Sequence, residues 1–149
     1  MQEKKPVFNL SKKNDWETPN ELYSMACEFF GVEPVLDVAA TAENSKCKWH
    51  YSEGGLDKPY EVDFFCNPPY DQLKKWIRKC YLEHVKNNVN GLMLIFNKTD
   101  TKAFHQYIFG HAEVLFVQGR VHFWVNGMAS KNPAPYGSCF VLFRRKIDL

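Results

Sequence analysis

The sequence lacks a CxxC pair of cysteines. The five cysteines are widely spaced, at Cys27, Cys47, Cys66, Cys80 and Cys139. An odd number of scattered cysteines is not typical of a disulfide-stabilised secreted domain, so we expect reduced thiols. Cys47 and His50 have the spacing of a metal-ligand pair, but no second pair accompanies them, and the sequence therefore predicts no metal site.

Long hydrophobic runs are also missing. No apolar stretch approaches the roughly 20 residues that a membrane-spanning helix needs. The amino-terminal segment MQEKKPVFNL lacks the apolar core of a signal peptide. These absences predict a cytoplasmic protein without a membrane partner.

Charge of one sign is not in large excess, because the formal net charge is only +2. A nucleic-acid partner would therefore need a local basic face. No internal repeat or second domain is evident. The 149 residues predict one domain over residues 1–149, with a polar, basic and flexible arm over residues 1–15. Aromatic residues make up 15% of the chain, which suits both a compact core and base stacking.

The most informative stretch is Asn67-Pro68-Pro69-Tyr70, which follows an apolar run at 64–66. The run predicts a short buried strand. Two prolines cannot donate backbone hydrogen bonds, and the first one disfavours a helical conformation at Asn67. Asn67 is therefore expected at the carboxyl end of a strand, where open α/β sheets bind ligands.

This motif has a chemical use. The Asn67 amide oxygen and the Pro68 carbonyl can together accept both hydrogens of an exocyclic amino group, while the Tyr70 ring stacks on the attached base. Accepting the hydrogens localises the nitrogen lone pair for attack on a methyl sulfonium. The pattern matches a motif of S-adenosylmethionine-dependent amino methyltransferases. The alternative is a proline-rich strand end with a surface tyrosine.

Two further segments carry candidate residues. Thr18 and Glu21 have the spacing of a capping box, with Pro19 in the first helical turn. The helix that follows is predicted to end at Gly31. Its predicted buried face consists of Leu22, Met25, Ala26, Phe29 and Phe30.

The next strand is predicted over 35–40 and carries Asp37 inside an apolar run. An acid at a strand end beside small residues is how α/β enzymes hold polar groups of a nucleoside ligand. The alternative is a capping or turn aspartate. Glu53 and Asp57, in the loop at 52–60, are weaker candidates for contact with a ribose or an adenine amine.

The remaining pattern predicts a short strand at 49–51, a helix capped by Asp71, a buried strand at 92–96 and a short helix around 104–108. Strands follow at 112–117 and 139–143, with a strand extension at 121–124 and a loop over 126–138. No helix separates the last two main strands, so they are expected to be antiparallel neighbours. The order favours an α/β fold with three layers and a mostly parallel sheet.

Four motifs together resemble the phage-type DNA N6-adenine methyltransferases of the Dam family. They are WETP at 16–19, LDVAA at 36–40, NPPY at 67–70 and GRVHF at 119–123. The resemblance runs from about Trp16 to Phe143. It implies a Rossmann-like methyltransferase sheet in abbreviated form, with S-adenosyl-L-methionine as cofactor and double-stranded DNA as partner.

The resemblance also implies roles for individual residues. Asn67, Pro68, Pro69 and Tyr70 would hold and stack on the adenine, which must flip out of the duplex. The cofactor would be bound by Trp16, Thr18, Pro19, Asp37, Ala39, Ala40 and Asp57. The glycine-rich loop of other methyltransferases is missing after the first strand, where Ala39-Ala40-Thr41 stands instead. The contacts to the cofactor's ribose and adenine therefore stay open, and Asp57 is a guess.

Target recognition would fall to the loops at 97–102 and 118–138. Their candidate DNA contacts are Lys98, Lys102, Arg120, His122, Trp124 and Lys131. So small a surface predicts a short or relaxed target for a monomer, while a longer palindrome would require a homodimer or a partner protein. Cytosine N4, RNA and protein glutamine remain alternative acceptors, and a catalytically inactive nucleic-acid-binding relic is an alternative of another class.

Overall fold

The computed structural model describes residues 16–147, and the flexible arm predicted over residues 1–15 lies outside this range. The chain begins with helix α1 (Asn20–Phe30), strands β1 (Leu36–Asp37), β2 (Trp49–His50) and β3 (Phe64–Cys66), a 3₁₀ turn (Tyr70–Gln72) and helix α2 (Leu73–Asn87). Strand β4 (Gly91–Phe96), a π-helix (Phe104–Ile108), strand β5 (Glu113–Phe116), the short strands β6 (Trp124–Val125) and β7 (Met128–Ala129), and strand β8 (Ser138–Phe143) follow.

Six strands form one mixed sheet in the order β2-β1-β3-β4-β8-β5. Strands β2, β1, β3 and β4 are parallel, whereas β8 is antiparallel to both β4 and β5. The predicted antiparallel pairing of the last two main strands is confirmed. Because the parallel strands share one direction, the loops after β1, β2, β3 and β4 all leave the sheet at its carboxyl edge.

The sheet is covered on both faces, as predicted for three layers. In β4, Met93 and Ile95 pack into the cluster on the α2 side, with the π-helix. Leu92 and Leu94 point the other way, into a cluster with α1 and residues 121–134. Strand β4 is therefore buried along its whole length, which is why it reads as a continuous apolar run.

The start of α1 differs from the prediction. Pro19 precedes the helix as its N-cap, without a capping side chain, so the Thr18–Glu21 capping box is wrong. The Thr18 hydroxyl instead accepts a hydrogen bond from Asn67. The predicted stop at Gly31 is confirmed, since Gly31 ends the helix with φ at +68°.

The buried face of α1 also differs. Met25 and Phe29 are 41% and 63% exposed, because the helix turns a neighbouring stripe toward the sheet. In that stripe Ala26 and Phe30 are buried, while Tyr23 and Cys27 pack against the same cluster. Helical periodicity alone did not show which of two adjacent stripes of α1 is buried against the sheet.

Three other predictions need correction. Strand β1 covers two residues rather than six, because the Asp37 carboxylate accepts the Ala39 amide and bends the chain. Asp71 does not cap α2, since a 3₁₀ turn comes first and Gln72 is the N-cap. The sequence predicted a strand extension at 121–124 and a loop at 126–138, whereas the structure has the β6–β7 hairpin in this region. The turn of the hairpin is Asn126-Gly127, and both residues have positive φ.

Candidate active site

A short segment, Trp16–Thr18, runs along the carboxyl edge of the sheet, and we call it the strap. Its middle residue is fixed by strand-like pairing with Trp124. The Glu17 amide donates to the Trp124 carbonyl at 2.7 Å, and the Trp124 amide donates back at 2.9 Å. The Gly127 amide also reaches a Glu17 carboxylate oxygen at 3.3 Å. The strap is therefore tied to the β6–β7 hairpin.

Asn67 follows β3 and faces the strap. Its side-chain nitrogen donates to the Thr18 hydroxyl oxygen at 3.1 Å. Thr18 is only 2% exposed, so this contact is shielded from bulk water. The extended backbone of Pro69, with ψ of 134°, leads directly into the turn that carries Tyr70. The positions of Asn67 and Tyr70 are thus set by β3 and by two rigid prolines.

A small cavity of about 10 Å³ lies between the strap, the end of β1 and Asn67, and it has room for about one water molecule. The structure brings together here five of the seven residues predicted to bind a cofactor, beside the predicted catalytic asparagine. The lining residues from those two sets are Trp16, Thr18, Asp37, Ala39, Ala40 and Asn67. Thr18 and Asn67, which are 49 positions apart in the chain, therefore meet at this cavity.

Asp37 is an unusual acid, because it is only 3% exposed. Burial raises the pKa of its carboxyl group, while hydrogen bonds from the Lys46 and Ala39 amides oppose that rise. The two distances are 3.0 Å from the Lys46 amide and 3.3 Å from the Ala39 amide. Asp37 thus organises the loop after β1, as the alternative interpretation of a turn aspartate expected, and its side chain also lines the cavity.

A larger cavity of about 340 Å³ is also lined by Ala39 and Ala40. Its walls include residues 51–55, which follow β2, and Pro69 of the NPPY motif. Glu53 lies in this wall. Asp57 is exposed and lines neither of the two cavities. The structure therefore brings Glu53, and not Asp57, to the cleft.

Tyr70 belongs to a cluster of aromatic side chains at the same edge. Its ring stacks on Phe96, with centroids 3.6 Å apart, and Trp16 meets it edge-on at 5.6 Å. Trp16 in turn stacks on Phe123 at 5.4 Å. Burial raises the pKa of the Tyr70 phenol above its usual range. The ring is therefore held in place, and its hydroxyl stays protonated near neutral pH.

Only some of the predicted DNA contacts lie together. Arg120, His122 and Trp124 line one concave surface beside α1, together with Pro19. Pro19, a predicted cofactor residue, is thus placed on this surface rather than in the small cavity. Lys98 stands elsewhere, with its ammonium 4.2 Å from the centre of the Tyr136 ring. Lys102 and Lys131 are exposed.

Comparison with known proteins decides the family. The family model for DNA N-6-adenine-methyltransferase (Dam) matches residues 7–148. The chain belongs to the Dam family. No curated protein and no solved structure matches it. The resemblance to the Dam family is therefore confirmed over residues 7–148.

Some residues that line the small cavity of this Dam-family chain are not among the predicted site residues. Asn44 and Lys46 line the small cavity, and the Lys46 ammonium donates to Asn20 at 2.6 Å. Both stand in the polar loop at 41–47, where nothing in the sequence distinguishes a site residue from a solvated one. Within residues 16–147, no helix is long and apolar enough to cross a membrane, and no cluster of three potential ligands could hold a metal ion.

Proposed function

We propose that this Dam-family chain, acting as a single domain, transfers a methyl group from S-adenosylmethionine to adenine N6 in double-stranded DNA. One observation carries the proposal: Asn67 shares a small cavity with Thr18 and Asp37. A residue suited to hold an amino group thus stands beside residues suited to hold a methyl donor.

The residues that line both cavities suit the chemistry of such a cofactor, and the larger cavity, at about 340 Å³, also suits its nucleoside in size. Both cavities are lined by Ala39 and Ala40, whose side chains are small. Ligand pockets usually enclose about 300–1,000 Å³, so the larger cavity has room for a nucleoside. When bound, S-adenosylmethionine supplies an electrophilic methyl group on a cationic sulfur.

Charged residues of the chain match the polar ends of that cofactor. Lys46, in the small cavity, suits the carboxylate of the methionine end. Glu53, in the larger cavity, suits the ribose hydroxyls and replaces Asp57 in this proposal. Asp37 holds the loop between the two cavities through the Ala39 and Lys46 amides.

The catalytic step rests on Asn67 and Pro68. The Asn67 side-chain oxygen and the Pro68 carbonyl accept the two hydrogens of the adenine amino group. This contact draws the nitrogen toward a tetrahedral geometry and localises its lone pair for attack. Hydrogen-bond acceptors that strengthen their hold as charge develops lower the barrier of the reaction.

Tyr70 supplies the stacking surface for a flipped adenine. Its ring is backed by Phe96 at 3.6 Å, so little side-chain entropy is lost when a base stacks on it. Base–aromatic stacking is worth about 1–3 kcal/mol per base. Arg120, His122 and Trp124 would contact the duplex from the neighbouring concave surface, while Lys98 and Lys102 would contact phosphates.

A methyl-transfer assay tests this function. Labelled S-adenosylmethionine is offered with DNA, RNA and protein pools, and the labelled product is hydrolysed and identified. We expect N6-methyladenine in DNA. Label in cytosine, RNA or protein would contradict the proposed acceptor, and no transfer to any pool would contradict the enzyme assignment.

Asn67→Ala is the matching variant. It should reduce turnover at least about 100-fold, since a lost transition-state contact of this kind costs on the order of 3 kcal/mol. Cofactor affinity, measured by calorimetry, should stay largely intact. Gln106→Ala is the control, because Gln106 is an exposed amide on the π-helix, outside the loops assigned to DNA and absent from the lining of both cavities. Turnover of Asn67→Ala within a few-fold of wild type would remove Asn67 from the mechanism.

A further inference from the structure

The contact between Thr18 and Asn67 joins two parts of the site that have separate proposed roles. Thr18 belongs to the strap and is predicted to bind the cofactor, and Asn67 belongs to the motif proposed to hold the target base. The contact spans 49 positions of the chain and measures 3.1 Å between the Asn67 side-chain nitrogen and the Thr18 hydroxyl oxygen. A capping role does not explain it, because Thr18 makes no cap hydrogen bond to α1.

The strap, which carries Thr18, is held in place by its own contacts. Two backbone hydrogen bonds tie Glu17 to Trp124. Trp16, on the other side, packs between Phe123 and Tyr70. Thr18 is 2% exposed, and its branched side chain has few rotamers available. The hydroxyl is therefore presented from a position that the surrounding elements determine.

The direction of the hydrogen bond matters for the reaction. A side-chain amide is planar, with a donor at one end and an acceptor at the other. When the nitrogen end of Asn67 is anchored on Thr18, the oxygen end is directed away from the strap. That oxygen is the atom proposed to accept a hydrogen from the adenine amino group. A rotated amide would present its own hydrogens to that group and repel it.

We propose that Thr18 is a positioning residue, which orients the Asn67 amide for methyl transfer in addition to lining the cofactor cavity. This inference rests on the proposed function. It assigns Thr18 an effect on turnover that a residue serving only to bind the cofactor would not have. Misplacement of a reacting group by about 1 Å can cost on the order of 100-fold in rate, so an indirect contact can matter.

Two substitutions at Thr18 distinguish positioning of Asn67 from binding of the cofactor. Thr18→Val keeps the branched shape and removes the hydroxyl, whereas Thr18→Ser keeps the hydroxyl and removes a methyl group. We expect Thr18→Val to lower kcat about tenfold or more, and Thr18→Ser to stay within about threefold of wild type. The cofactor dissociation constant of Thr18→Val, from calorimetry, should change less than about threefold. Thermal unfolding of both variants checks that they are folded.

A double-mutant cycle shows whether Thr18 acts through Asn67. In single-turnover assays with excess enzyme, Thr18→Val should have little further effect once Asn67 is alanine, because coupled residues are not additive. Wild-type kcat in Thr18→Val, a loss confined to cofactor affinity, or full additivity with Asn67→Ala would each overturn the inference while leaving the proposed function intact. An inactive wild-type protein would overturn the proposed function, and this inference with it.

Discussion

Asp37 combines a structural contact with a position in the candidate site. Its carboxylate accepts the amides of Ala39 and Lys46, and all three residues line the small cavity. We expect Asp37→Ala to weaken S-adenosylmethionine binding more than DNA binding, because the loop between the two cavities loses its anchor. Calorimetry with the cofactor and anisotropy with a DNA duplex measure the two affinities. Unchanged cofactor affinity in a folded variant would exclude Asp37 from the site.

Tyr70 is expected to act through its ring. Tyr70→Phe keeps the stack on Phe96 and should retain near-normal turnover. Tyr70→Ala removes the ring and should lose about 1–3 kcal/mol of base stacking, or roughly 5- to 150-fold in kcat/KM. Urea denaturation of both variants distinguishes this effect from loss of the Phe96 contact. Equal losses in the two variants would point to a role for the hydroxyl.

The pH dependence of turnover in wild type and in Tyr70→Phe gives a second test of the role of Tyr70. Burial raises the pKa of its phenol, so the hydroxyl stays protonated up to and beyond its ordinary pKa of about 10. Wild type and Tyr70→Phe should therefore have pH–rate profiles of the same shape up to about pH 10. An alkaline limb that disappears only in Tyr70→Phe would contradict this.

The β6–β7 hairpin and the strap act as one unit, because Glu17 bonds both Trp124 and Gly127. Gly127 has φ of +76°, and a methyl group there would meet no atom within 4 Å. Gly127→Ala should therefore cost about 1 kcal/mol from backbone strain alone. We expect methyl transfer to fall several-fold as well, because the strap loses support.

Gly110→Ala is the matched control for that variant. Gly110 has φ of +80° with equally open surroundings, and it lies in the turn before β5. Both variants should show similar losses of stability in urea denaturation, while only Gly127→Ala affects transfer. Equal activity of the two would show that the hairpin does not support the strap.

Two arginines of the molecule lie at opposite edges of the sheet. Arg120 lines the concave surface beside the strap, whereas Arg145 follows β8 near Asp63 and Asn90 at the opposite edge. Arg120→Ala should weaken DNA binding and reduce the slope of log affinity against log salt by about 1. Arg145→Ala also removes one positive charge, but it should change neither the DNA affinity nor the salt slope. Anisotropy titrations between about 50 and 200 mM salt measure both, and equal slopes in the two variants would contradict the assigned surface.

The sequence by itself determined the elements whose signals are local. The buried strand β4 reads as a continuous apolar run, Gly31 marks the end of α1, and the prolines after Asn67 mark the end of β3. The family was also evident from four short motifs, since each keeps its residues at fixed spacing along the chain. The Asn126-Gly127 turn was a local signal too, although the prediction treated that stretch as a loop.

Only the tertiary structure decided which residues meet. The exposure of Met25 and Phe29 depends on how α1 rotates against the sheet, which its own periodicity does not specify. Thr18 has the pattern of a helix cap, yet it bonds Asn67, because the strap is held in place by a hairpin more than 100 positions away. Lys46 and Glu53 reach the cavities for the same reason: parallel strands bring separate loops to one edge, and that adjacency depends on the order of strands in space rather than on sequence.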